Sequence, residues 1–481
     1  MAASDYEATI GLEVHAELLT QTKLFCSCPT RFGAEPNTHT CPVCIGMPGV
    51  LPVMNRKAFE LTLKTALALE CEIPEELNFD RKNYYYPDLP KNYQISQNYL
   101  NIGAKGRLEI LVDGEKKEIG IWNVHLEEDA GKNMHGEGPD ADYSLVDLNR
   151  TGTPLMEIVS APDMHTPEEV EAYCKTLRNT LLYLNVSDCK MQEGSLRFEP
   201  GISVRKKDDP ELGKRVEIKN LGSITAAVKA VEYEIERQIQ VLEEGGTIPQ
   251  ETRLWDVDHN RSERMRSKES SHDYRYFPEP DLVWFSTDEA WLGKIRKTLP
   301  ELPTAKRMRF MADFGLSDYD AGVLADDQSL AQYYEDCLAH NDNAKGLANW
   351  IINDVLRAVN EKGITLDEYG VQPEALAALV KIVDSGTLSV AQGREVLADV
   401  AATGKPPEEI IKEKGLEQVS DEDELTSVVE QVLAANPKAA EDIKAGKKKA
   451  MGFLIGQVMR ETQGKANAKV VGPLIEKLLS S

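Results

Sequence analysis

Thirteen residues, Asn123 to His135, read NVHLEEDAGKNMH and bring His125, Glu127, Glu128, Asp129, Lys132 and His135 together. A second stretch, GLEVHAEL, carries Glu13, His15 and Glu17 at alternate positions. In a strand this spacing sends all three to one face, while Leu12, Val14, Ala16 and Leu18 take the other. The same alternation puts His125 and Glu127 on one side of NVHLEED. Either stretch alone reads equally well as a solvated acidic edge. Their repetition favours two strands meeting around a pocket of carboxylates and imidazoles. Like charges so gathered raise one another's pKa unless a cation compensates, and magnesium is the ion suited to carboxylates, water and phosphate oxygens. Phosphate-neutralising candidates are Lys132, Arg150, Lys190, Arg205, Lys219 and Arg275. Glu217 and Lys219 share a strand face in VEIKNL, and SHDYRYFPEPD, 271–281, packs hydrogen-bonding groups before two prolines.

CSCPTRFGAEPNTHTCPVC supplies Cys26, Cys28, Cys41 and Cys44 as C-x-C and, after twelve residues, C-x-x-C. Four thiolates at these spacings close on one ion and leave no open position, which points to structural zinc. An iron–sulfur cluster and plain reduced thiols are the alternatives, and His39 lies within the loop as a spare ligand. Cys71, Cys174, Cys189 and Cys337 are scattered, so a disulfide framework is not indicated. No GxxxxGK[ST], GxGxxG or GxSxG motif occurs, which leaves standard phosphate cradles and serine hydrolases without support.

These groups must be positioned by more than one core, because 481 residues with 41% hydrophobic content imply two to four domains. Residues 1–295 alternate short β-type runs with helical patterns at 56–69, 167–184 and 223–244, a mixed α+β region with an antiparallel sheet. EILVDGEKKEIGI reads as two strands turning near Asp113-Gly114. From 296 to 404 the pattern is helical. ATGKPPEEI, 402–410, then forms a linker, and 405–481 is a small helical tail. A net charge of −25 argues against a simple basic nucleic-acid binder. The tail departs from this, with nine lysines and arginines against four acidic residues in 437–481. No apolar run approaches membrane-spanning length and the first residues lack a secretory pattern, so a cytoplasmic or similarly reducing location without membrane contact is expected.

GLEVHAEL, KLFCSCPTRFG, PNTHTCPVCIGMPGVLPVMN, HLEEDAGK, DLNRTGTPLMEIV, VEIKNL, YEIERQ, HDYRYFPEPDL and LPELP occur in the order in which they appear in the B subunits of glutamyl/aspartyl-tRNA amidotransferases, and the chain resembles that family along its length. The resemblance implies a cradle-shaped, kinase-like first domain, a helical tRNA-binding domain and a tail domain. It implies ATP and magnesium as cofactors beside structural zinc, and an amidase (glutaminase) subunit and a small third subunit as partners. The implied reaction phosphorylates the side-chain carboxylate of Glu-tRNA(Gln), and in many members Asp-tRNA(Asn), before amidation by ammonia. Glu13, His15, Glu127 and Glu128 correspond to the family's magnesium and nucleotide residues, with Lys132, Arg150, Glu217 and Lys219 around the substrate and Arg275 as a further cofactor contact. After VEIKNL the chain reads GSITAAVKA, Gly222–Ala230, so Thr225 stands where the family commonly has an arginine. An adenylating ligase and a tRNA-binding scaffold are the rival functions. In the tail, Lys447, Lys448 and Lys449 are expected to meet the tRNA backbone. Replacing all three should weaken tRNA binding and flatten its salt dependence, because fewer counterions are released. A gel-shift titration at several salt concentrations checks this, and equal slopes for variant and parent would remove the contact.

Overall fold

The computed structural model describes residues 5–135, 143–265, 273–416, 422–444, 448–462, 466 and 468–480. Two compact units divide the chain at 305/306. In the first, period-two hydrophobicity produces eight strands of one sheet: β1 Tyr6–Glu17, β2 Gly103–Val112, β3 Glu115–Glu128, β4 Pro154–Ser160, β5 Leu196–Lys206, β6 Val216–Lys219, β7 Glu251–Asp256 and β8 Arg261–Arg264. Their order is β8-β7-β6-β5-β1-β4-β3-β2. β2 and β3 join through Asp113 and Gly114, both in the left-handed region that a tight hairpin turn requires. The sheet is mixed rather than antiparallel as expected. β6 and β7 run parallel because a helix, Ile224–Glu243, carries the chain back between them.

That helix is α3, and with α1 (Arg56–Ala68) and α2 (Pro167–Tyr183) it packs on the apolar side of the sheet. Each begins on a side-chain cap. Asn55, Thr166 and Ser223 accept from first-turn amides, and Thr166 is followed by Pro167 as the sequence indicates. Leu12, Val14 and Ala16 of β1 share one buried cluster with Leu126, Ile158 and Phe198, and with Phe59, Leu177 and Val231 from the helices. The opposite face carries the charges.

The first core continues past residue 295, where the helical region is expected to begin. The helix Glu289–Arg296 contributes Leu292 and Ile295, and Leu299 and Leu302 pack behind them. In the second unit one cluster runs from Phe310 to Ile411, and another gathers Leu425, Val429, Leu454, Val458, Leu474 and Ile475. The paired-proline linker does separate two helices. Ile410 and Ile411 beyond it are nevertheless buried with the middle helices, so packing joins 407–416 to them and the tail cluster begins at Leu425. Among the described residues no helix is long and apolar enough to cross a membrane.

Because Leu126 and His125 point to opposite faces, their truncations should differ. Leu126→Ala should cost about 2–5 kcal/mol in urea unfolding, as a core cavity does. His125→Ala should cost under half of that, since it leaves the apolar layer intact. Equal losses would contradict the facing described.

Candidate active site

Antiparallel register sets side chains in rows across the polar face. His125 on β3 lies opposite Glu157 on β4, Glu157 opposite His15 on β1, and His15 opposite Arg197 on β5. His15 Nε2 is 3.4 Å from Glu157 Oε2 and 3.7 Å from Glu127 Oε1. His125 Nε2 is 3.1 Å from Glu157 Oε2 and 3.9 Å from Glu127 Oε2. Asn123 Oδ1 lies 2.9 Å from His125 Nδ1, and Ser96 Oγ donates to Glu127 Oε2 at 3.2 Å. Burial disfavours charge on both imidazoles, yet Glu157 and Glu127 outweigh it and raise both histidines above their ordinary value. The same two rings hold Glu157 well below the carboxylate range against its burial. Ligand atoms of His15, Glu127 and Glu157 converge within 4.8 Å, a donor set that fits one divalent cation with water completing its shell.

Cations flank this cluster. Lys82 is half-buried with its Nζ 5.0 Å from the Tyr274 ring centroid, and Glu127 keeps it charged against the cost of desolvation. Arg197 lies 3.5 Å from Asp129, its Nε buried without a hydrogen-bond partner. Arg150 Nε reaches Asp129 at 2.5 Å and Glu17 at 3.0 Å. Burial opposes charge on Asp129, but the two arginines hold its carboxyl down, whereas burial pushes Glu17 up to about 7.

The expected residues are only partly gathered. His15 and Glu127 meet. Glu13, one row away, pairs with Arg215 at 3.1 Å, and burial with Glu157 and Glu217 nearby still raises its carboxyl. Lys219 bonds Glu199 at 2.6 Å and Glu217 at 3.0 Å, beside Glu13. Glu128 turns to the other side of its strand, where it accepts from the Ile95 N–H at 2.9 Å and pairs with Lys91. Lys132 is exposed on a separate two-stranded hairpin. Arg275 is also exposed, in the left-handed region, with its N–H on Asp273. Lys190 and Arg205 pair with Glu193 and Glu7. Lys447 lies outside the described residues, and for Lys448 and Lys449 only the backbone, opening a helix, is described. Sequence reasoning missed Glu157 and Lys82. The signal for Glu157 was available, as it is the single charged residue in the apolar strand PLMEIVS.

Cys26, Cys28, Cys41 and Cys44 bring their sulfurs within 4.8 Å of one another, with Cys41 and Cys44 3.9 Å apart. Sulfurs about 2.3 Å from a tetrahedral zinc stand about 3.8 Å apart, so the spacing fits one ion. It is too tight for sulfurs arranged around a multi-iron core. As thiols the four share charge unevenly. The hydrogen bond from Cys26 draws Cys44 down to about 4, while burial pushes Cys28 up to about 11. A dication resolves that conflict. His39 donates its backbone N–H to Asn149 Oδ1, and among the described residues the converging group consists of the four cysteines alone.

The raised histidines would make binding of a cation at this donor set proton-linked. Their charged form stabilises the metal-free fold below about pH 6.5, and that stabilisation is lost as pH rises through their raised folded values. Glu157, being depressed, contributes above its unfolded value and loses its contribution only as pH falls through the folded one. Titrating manganese calorimetrically near pH 6.5 in buffers of different ionisation enthalpy should therefore show proton release, reduced by about one in His15→Ala. No release in the parent would remove the imidazoles from the ion's site.

Residues 8–293 match the family model of the GatB/GatE catalytic domain, and 332–479 match the GatB domain. The B subunit of the aspartyl/glutamyl-tRNA(Asn/Gln) amidotransferase of Carboxydothermus hydrogenoformans is 54% identical over 477 residues, covering 99% of both chains. The proteins of the same name from Moorella thermoacetica and Thermoanaerobacter pseudethanolicus are 53% and 52% identical over 475 residues, each across 99% of this chain. With the match running nearly end to end, this chain belongs to the family of aspartyl/glutamyl-tRNA amidotransferase B subunits.

Proposed function

We propose that the chain is the activating and amidating subunit of a heterotrimeric tRNA-dependent amidotransferase. ATP phosphorylates the side-chain carboxylate of Glu-tRNA(Gln), or of Asp-tRNA(Asn), and ammonia from an amidase subunit then displaces phosphate. The observation that carries this reading is the His15–Glu127–Glu157 cluster, set between Lys82 and Arg197 on the polar face of the sheet. A carboxylate is a poor electrophile because its leaving group would be oxide. In the first step its oxygen bonds to the γ-phosphorus as the bond to the β-bridging oxygen breaks and ADP departs. In the second, ammonia bonds to the acyl carbon as the carbon–oxygen bond to phosphate breaks, and a proton is lost from nitrogen.

Magnesium, when bound, would neutralise phosphate oxygens and polarise the transferring group. His15, Glu127 and Glu157 would hold it, with Glu13 beside them oriented by Arg215. Lys82 and Arg197 would offset charge growing on the phosphoryl group, while Arg150 fixes Asp129 and Glu17 behind them. Such a step is governed by positioning and electrostatics more than by covalent help from protein. The sheet would then be the floor of a kinase-like cradle. The helical segments 296–404 and 405–481 would carry tRNA, a small third subunit would complete the assembly, and the four cysteines would hold zinc in a reducing, cytoplasmic setting.

The test uses the assembled trimer, γ-labelled ATP and each misacylated tRNA. ADP formation should require tRNA and magnesium, and Glu157→Gln should lower it by about 10² or more, as removal of one electrostatic group does. AMP as product would move the case to an adenylating ligase. A complex that binds tRNA but releases neither nucleotide would leave a scaffold.

A further inference from the structure

Lys23 is fully buried. A buried ammonium is sustained only by a charged or strongly accepting partner. Among the described residues no carboxylate pairs with it. Its Nζ lies 3.6 Å from Cys44 Sγ and 3.2 Å from the Leu148 carbonyl oxygen. The first contact is a charge-assisted N–H···S bond if Cys44 is a thiolate, and four thiolates around one dication carry a net charge of −2. Lys23 therefore sits where half of that excess is cancelled. The second contact leads elsewhere, to the turn preceding Arg150.

That turn is tied to the cysteine loop along its length. Asn37 donates its N–H to Asp147 Oδ1 at 2.9 Å and its Nδ2 to Val146 O at 3.0 Å, and accepts the Leu148 N–H at 2.8 Å. His39 donates its N–H to Asn149 Oδ1 at 2.7 Å, and Asn149 Nδ2 donates to Glu35 O at 2.7 Å. Next to Lys23, the Leu24 N–H donates to Gly152 O at 2.8 Å. Gly152 has φ +83°, and a Cβ there would stand 3.6 Å from both Lys23 Cδ and Cys44 Cβ, so the turn and the sulfurs approach closely. Arg150, between these anchors, reaches Asp129 and Glu17 on the polar face.

We propose that Lys23 is a positioning residue that couples the four-cysteine centre to the Leu148–Gly152 turn, so that the charge on the sulfurs holds Arg150 in place. This rests on the reading of the four cysteines as a metal centre and on nothing assumed about the reaction. The cobalt(II)-loaded full-length chain tests it. Lys23→Met should move the thiolate-to-cobalt charge-transfer band to longer wavelength, because a sulfur that loses a hydrogen bond is more easily oxidised. It should also speed cobalt transfer to a chromophoric chelator by about tenfold, the low end of what loss of an outer partner costs a metal site. Amide exchange at Leu148–Thr153 should rise several-fold, and Lys23→Arg should restore band and exchange toward the parent. A Met variant with unchanged band and release rate overturns the proposal. So does a shifted band with parental exchange at 148–153. The parent supplies an arm free of any folding defect: stripping its metal should raise exchange at 148–153, and unchanged exchange there overturns the coupling. Cobalt that gives no thiolate charge-transfer band in the parent overturns the metal-centre reading itself, and the proposal with it.

Discussion

A carboxylate held on a central strand, nearly out of water, stays ionised only if cations stand within reach on both sides. Glu157 meets that condition because its strand runs antiparallel between two others and the residue opposite it is a histidine each time. Directly opposed residues in such a ladder have Cβ atoms about 4.5–5.5 Å apart, close enough for an imidazole to reach a carboxylate. The register is enforced from the other face. Slipping β4 by one residue would turn Met156 and Ile158 toward the polar side and Glu157 into the apolar layer. The hydrophobic core thus specifies the cluster's geometry as well as the fold's stability.

The charges around this row alternate in sign rather than accumulate. Glu157 and Glu127 face two imidazoles and Lys82, Asp129 faces two arginines, and Glu199 and Glu217 face Lys219. Alternation lets a chain of net charge −25 keep positive groups where polyanionic ligands would approach. A phosphate entering beside Arg197 would meet a guanidinium whose Nε has no partner. The overall charge therefore says little about the site, because exposed acids are screened over about a Debye length while this row is shielded by protein.

Much of this was legible in the sequence, and the limits have physical causes. Period-two alternation placed Glu13 and His15 on one face of β1 and His125 and Glu127 on one face of β3, because a strand's faces follow from spacing alone. Cysteine spacing located the sulfur cluster, and the helical patterns at 56–69, 167–184 and 223–244 correspond to α1, α2 and α3. Glu128 shows what happens when a motif is taken as a block. As the immediate neighbour of Glu127 in a strand it must point the other way, and it does, toward Ile95 and Lys91. Glu157 and Lys82 escaped because their importance depends on which strands become neighbours, and register between distant segments is not written locally. The parallel β6–β7 pair has the same origin, since only the crossover through α3 fixes its direction.

Burial also bears on the proposed chemistry. Acyl phosphates are lost to water, so a site that forms one must be roofed as well as charged. Segment 93–97 runs along the edge of β3 beyond the end of its pairing with β2. Gln94 Nε2 donates to the Glu128 carbonyl at 2.7 Å, Gln97 Oε1 accepts the Leu126 N–H at 3.0 Å, and Ser96 holds Glu127. These bonds satisfy the ladder groups that β3 would otherwise offer to solvent, and they leave Glu127 only 3% exposed. The residues that fix the carboxylates are therefore the ones that keep water from them, so a reactive group at the cluster would be held and shielded by one set of contacts.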